Sequence, residues 1–153
     1  MGLIALDKAE QLENLAADLY AIVAARADIG RETRRLFERL RQEEHQHALR
    51  IRMLRSQCAK DSRLARGIAL VGGAIDLLLA RANQVKERLA DPDLGLPEIL
   101  AVLAELEQEF QVAHAEVVAS DAAPDLKAFF RKLAKQDEAH ARLLGSLAQA
   151  EIA

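Results

Sequence analysis

With one cysteine, Cys58, the chain can form no internal disulfide and can supply no four-cysteine metal site; a reducing compartment is compatible. Aromatic residues are scarce at 3%, with no tryptophan and one tyrosine, which argues against a strand-rich core. Only three prolines and seven glycines interrupt 153 residues, so long unbroken segments are expected. The net charge of -3 comes from both signs mixed along the chain, leaving no basic face for nucleic acid and no acidic tail. No apolar run is long enough to span a bilayer: the longest, Gly67 to Ala80, is interrupted by Asp76. The N-terminal MGLIALDKAEQLE lacks the basic start and continuous apolar run of a secretory signal. A cytoplasmic protein without nucleic-acid or membrane partners is the expectation.

What is present is alanine, leucine, glutamate and arginine at helical spacing, within 51% apolar residues. The length suits a single domain over 1–153. From about Ala5 to Ala27 apolar residues recur every three or four positions, predicting an amphipathic helix with Ala9, Glu13, Ala16 and Tyr20 facing inward. Asp28-Ile29-Gly30 breaks it, and a second helix is expected from Arg31 to about Ala59. Pro97 opens a third long helix to about Ser120, and Pro124 a fourth that runs nearly to the end. The expectation is all-α: a ferritin-like four-helix bundle built from two hairpins, about 5–59 and 97–150. The connection, about 60–96, is apolar. Gly72-Gly73 weakens helix there by roughly 1 kcal/mol per glycine relative to alanine, predicting broken or paired shorter helices. If the halves are related by a pseudo-two-fold axis, this segment must run the length of the bundle.

The two halves repeat each other in their metal-binding residue types. Glu13, Tyr20, Phe37, Leu40, Glu44 and His47 are followed, 93 or 94 positions later, by Glu107, His114, Phe130, Leu133, Asp137 and His140. Residues three apart on a helix share a face, so Glu44 with His47, and Asp137 with His140, can reach one point inside a bundle. Phe37 and Phe130 lie two turns away and put both pairs on the buried side. Unpartnered carboxylates facing an apolar core would cost several kcal/mol each, so six such groups at one level call for cations.

The pattern matches the inventory of di-metal carboxylate bundles: a glutamate from each of two helices and a Glu-x-x-His from each of the others. Candidate ligands are Glu13, Glu44, His47, Glu107, Asp137 and His140, with Glu44 and Asp137 bridging and Glu13 and Glu107 terminal. Oxygen donors with one imidazole per metal suit iron or manganese, with zinc a possible substitute. Tyr20 and His114, two turns from Glu13 and Glu107, are candidate outer partners. Glu10, Glu38, Glu43, Glu105 and Glu109 read as solvated face charges, His45 as exposed, and Cys58 as a small buried apolar residue.

Leu12-Glu13 through Leu19-Tyr20, Glu43-Glu44-His45-Gln46-His47, Glu107 and Asp137-Glu138-Ala139-His140 resemble the rubrerythrin and bacterioferritin branch of the ferritin-like proteins. The resemblance covers most of the chain. It implies that the six candidate ligands hold two iron ions and that the activity is oxidation of ferrous iron or reduction of hydrogen peroxide or O2. It also implies an electron donor not identifiable from the sequence, and a homo-oligomer, with a dimer favoured. Three departures stand out. Asp137 replaces the family's usual glutamate and implies an altered bridge or a weaker second metal. Phe110 stands one turn beyond Glu107, where rubrerythrins tend to add a carboxylate. A cysteine-ligated rubredoxin domain is missing. The alternatives are a non-enzymatic iron-binding or storage protein and a helical scaffold with a vestigial site.

Overall fold

The computed structural model describes residues 2–64 and 72–152, and those residues form five helices and no strand. The helices are α1 (Gly2–Ala24), α2 (Arg31–Lys60), α3 (Gly72–Leu89), α4 (Leu96–Ala119) and α5 (Pro124–Ile152). The long α1, α2, α4 and α5 are the four expected from the apolar spacing. α1 ends three residues earlier than expected, in the turn before Asp28. Arg34 of α2 donates to Ala24 O, the last carbonyl of α1, at 2.9 Å and to Arg26 O in the following turn at 2.7 Å. Pro97 sits in the first turn of α4 after the extended Gly95, and Pro124 opens α5; neither position requires an intrahelical N–H.

Helix directions follow from the pairings. Glu10 meets Arg52 and Asp7 meets Arg55, so α1 and α2 are antiparallel. Tyr20 meets Glu107 and Glu13 meets His114, so α1 and α4 are antiparallel as well. α3 pairs Asp76 with Lys8 and Lys86 with Asp18, and therefore runs alongside α1 in the same direction. Its 18 residues cover about 27 Å and return the chain from the end of α2 to the far end of the bundle, where α4 begins. The break expected at Gly72-Gly73 falls where the described part of α3 begins. α3 is continuous over Gly72–Leu89. Residues 65–71, and with them the start of the apolar Gly67 to Ala80 stretch, lie outside the described residues.

The apolar core is divided into two clusters. One is built from Leu19, Val23, Phe37, Leu40, Leu103, Phe110 and Leu144, and α3 contributes Ala82 and Val85 to it. The other gathers Leu6, Ala9, Ile51, Cys58, Val117, Leu126, Phe130 and Leu133. The first collects the end of α1, the start of α2, the start of α4 and the end of α5, and the second the opposite ends. A polar layer separates the two. No described helix is long and apolar enough to cross a membrane.

Candidate metal centre

Each of the four long helices delivers two polar groups to the layer between the apolar clusters: Glu13 and Tyr20, Glu44 and His47, Glu107 and His114, Asp137 and His140. Seven-residue spacing on α1 and α4, and three-residue spacing on α2 and α5, keep each pair on its helix's inner face. All eight side chains are buried, and Glu13, Glu44 and Asp137 are fully inaccessible.

Two groups of potential ligand atoms arise within this layer. Glu13, Glu44 and His47 form one, Glu44, Glu107 and His140 the other; within each group the atoms lie within 4.8 Å of one another. Glu44 belongs to both. His47 Nδ1 faces Glu44 Oε2 at 3.4 Å and Glu13 Oε2 at 3.6 Å. His140 Nδ1 faces Glu44 Oε1 at 2.9 Å and Glu107 Oε1 at 3.3 Å. The two imidazoles stack with centroids 6.3 Å apart. Asp137 is in neither group. Its Oδ2 lies 2.5 Å from His114 Nδ1.

Tyr20 and His114 play matched parts. Each reaches across to the lone glutamate of the opposite hairpin: Tyr20 Oη donates to Glu107, and His114 Nε2 lies 3.4 Å from Glu13 Oε1. Each also leans on the phenylalanine of its own hairpin, Tyr20 on Phe37 at 5.8 Å and His114 on Phe130 at 5.6 Å between ring centroids. Phe110 is buried beside the layer and brings no further carboxylate to it.

The protein atoms do not satisfy this cluster among themselves. Both oxygens of Glu13, both of Glu44, Glu107 Oε2, Asp137 Oδ1 and His47 Nδ1 are buried without a properly aligned hydrogen bond. Buried polar atoms in folded proteins are nearly always paired, and leaving one unpaired costs roughly 1–3 kcal/mol. Burial, and then the charge of Glu44, push the Glu13 carboxyl up to about 7. Burial raises Glu107 and Asp137 too. Glu44 moves down: burial and the charge of Glu107 push it up, but the close contacts of Glu13, His140 and His47 side chains prevail. For His47 burial favours the neutral ring, yet Glu13 and Glu44 overcome it and raise the group to about 10. His140 behaves likewise against Glu107 and Glu44, reaching about 12. Burial lowers His114. In this state protons stand where cations would compensate the carboxylates. Two divalent cations would match the four carboxylates in charge, and the oxygen and imidazole donors are those of a hard or borderline metal.

Of the glutamates expected on the solvated face, Glu10 is buried and Glu43 is partly exposed but engaged. Glu43 is partly exposed but its Oε2 meets His140 Nε2 at 2.7 Å, holding the ring nitrogen that faces away from the cluster. Its position one residue before Glu44 points it toward α5 of the other hairpin; the available signal was the Glu43-Glu44 doublet. Glu10 is buried and bound by Arg52 at 2.7 Å and Arg55 at 2.8 Å. It stands three residues before Glu13 and so shares that residue's inner face. Glu38 and Glu105 are exposed and Glu109 is half-exposed beside Arg81. His45 is exposed, near Asn14, and Cys58 is buried among apolar neighbours.

The all-helical bundle and its neighbouring acidic and histidine groups are compatible with a ferritin-like fold. No family model matches the chain, and no curated protein or solved structure matches it either.

Proposed function

We propose that the cluster is a dinuclear metal centre holding two iron ions, and that the protein is a rubrerythrin-like oxidoreductase acting on hydrogen peroxide or O2, or oxidising ferrous iron. The observation that carries this reading is the pair of ligand groups joined through Glu44, buried between two apolar layers with their oxygens unpartnered. Manganese suits the same donors, and zinc could substitute.

Glu13 with His47, and Glu107 with His140, would hold one ion each, and Glu44 would join the two. Bound ferrous iron would supply one electron per ion, the two that, with two protons, convert one peroxide into two waters. The chain's own residues prepare the site for this. Tyr20 fixes Glu107 by donating its phenol proton. Glu43 holds His140 Nε2, which keeps Nδ1 aimed inward and makes the ring a stronger donor. Phe37 and Phe130 close the apolar layers above and below and keep bulk water out. α3 lies along α1 and α4, so among the described residues the approach left open is on the α2 and α5 side, where Glu43 reaches the surface.

Metal content after anaerobic ferrous loading, in the native protein and in Glu44→Ala, tests the reading. The expected result is two irons per chain in the native protein, the loss of both in the variant, and peroxide or O2 consumption only in the loaded native form. A native protein that takes up no iron would overturn it. Two irons without turnover would leave a non-enzymatic iron-binding protein.

A further inference from the structure

The two hairpins repeat each other, but the polar pairs that close the centre differ. On the first side the pair is Tyr20 with Glu44, on the second His114 with Asp137. A phenol has one polar atom, and Tyr20 spends it on Glu107. Glu44 is therefore left to both inward-facing histidines, His47 and His140. An imidazole has two polar atoms. His114 turns Nε2 toward Glu13, as Tyr20 turns its hydroxyl toward Glu107, and has Nδ1 left over, which meets Asp137 at 2.5 Å. The aspartate is also a methylene shorter than the glutamate at the equivalent position, a reach shorter by about 1.5 Å. The shorter acid and the ring with two nitrogens fit each other, and together they take the carboxylate away from the ligand groups.

Resting on the dinuclear reading above, we propose that Asp137 is a positioning residue for His114 and not a metal ligand, so that Glu44 is the single carboxylate joining the two metal positions. Asp137 orients the imidazole, whose Nε2 faces Glu13 Oε1 at 3.4 Å. The centre then has one protein bridge in place of the two that the repeat predicts. Asp137 Oδ1 is buried without a hydrogen-bond partner and is the atom through which the alternative, a bridging Asp137, would act.

Anaerobic binding of Co(II) to the full chain, followed by stoichiometry and by the visible absorption that reports the cobalt coordination sphere, tests this. In Asp137→Asn the amide oxygen still accepts from His114 Nδ1. The variant should keep the native stoichiometry of two cobalt ions and the native spectrum, with an affinity change below the roughly 10- to 100-fold that loss of an outer partner brings. Glu44→Gln should lose both ions. His114→Ala should change the spectrum by releasing Asp137 toward the metal, and the His114→Ala, Asp137→Asn double variant should not show that component. Native binding of two ions with one or both lost in a helical Asp137→Asn would overturn the proposal while leaving the dinuclear reading intact. A His114→Ala spectrum that is native, or that changes identically in the double variant, would overturn it too. A native protein that binds no Co(II), and likewise no iron, would remove both.

Discussion

The α1–α2 and α4–α5 hairpins carry the same framework and different polar detail. Phe37 and Phe130, and Leu40 and Leu133, occupy matching places on opposite sides of the polar layer, and Glu13 and Glu107, and His47 and His140, matching places within it. Glu43, Tyr20 and Glu44 face Gln136, His114 and Asp137. Glu43 binds the opposite histidine, His140, whereas the side-chain oxygen of Gln136 is buried without a partner. Apolar packing needs only volume and register and so tolerates a near-exact repeat. Polar positions depend on individual atoms, and at the centre they differ between the halves.

The largest effect should come where the halves are alike. Phe37→Ala and Phe130→Ala each open a cavity in a fully buried layer, and each should cost about 3–5 kcal/mol of unfolding free energy. Denaturant melts of the two variants should agree within about 1 kcal/mol; a strong inequality would break the likeness of the two apolar layers.

Next in size is the response of the metal-free protein to pH. Glu13 is raised in the fold from 4.5 to about 7, so the folded state binds the extra proton between those values and stability falls as pH rises through them. The contribution is on the order of 3 kcal/mol. His47 extends the loss: its proton stabilises the fold fully below 6.5, and that stabilisation disappears as pH rises through about 10. Glu107 and Asp137, both raised, act in the same sense, and Glu44, lowered, opposes them. Thermal melts of chelated protein should therefore show Tm falling from acidic to alkaline pH. With metal bound, those protons are displaced and affinity increases with pH, so the same series should flatten or invert. A chelated protein whose Tm rises with pH over this range would contradict the assignment.

The smallest effect separates the two histidines. Glu43→Ala removes the partner of His140 Nε2 and should weaken metal at the His140 position by roughly 10- to 100-fold, with the His47 position little changed. Stepwise metal titration checks this; equal weakening at both positions would mean that Glu43 acts on the bundle and not on one ring.

The helices were legible because their apolar residues recur with a helical period and their ends carry glycine and proline. The doublet Glu43-Glu44 shows what pattern reading misses. Two adjacent acids about 100° apart on a helix look like one inner and one outer residue until the neighbouring helix is placed, and α5 brings His140 within reach of both. Glu10 was misassigned for the same reason, since its arginine partners lie more than forty residues away.

Four long helices, two hairpins and a repeated set of carboxylates and histidines on their inner faces were determined by the sequence alone, because helical period and side-chain chemistry are local properties. Which of those groups share a ligand atom was decided only in three dimensions. Glu44 lies between both histidines and Asp137 turns to His114 because distances of a few ångströms in the bundle depend on how α2 meets α5 and α4 meets α5. A repeat of 93 or 94 residues describes the positions but not those contacts.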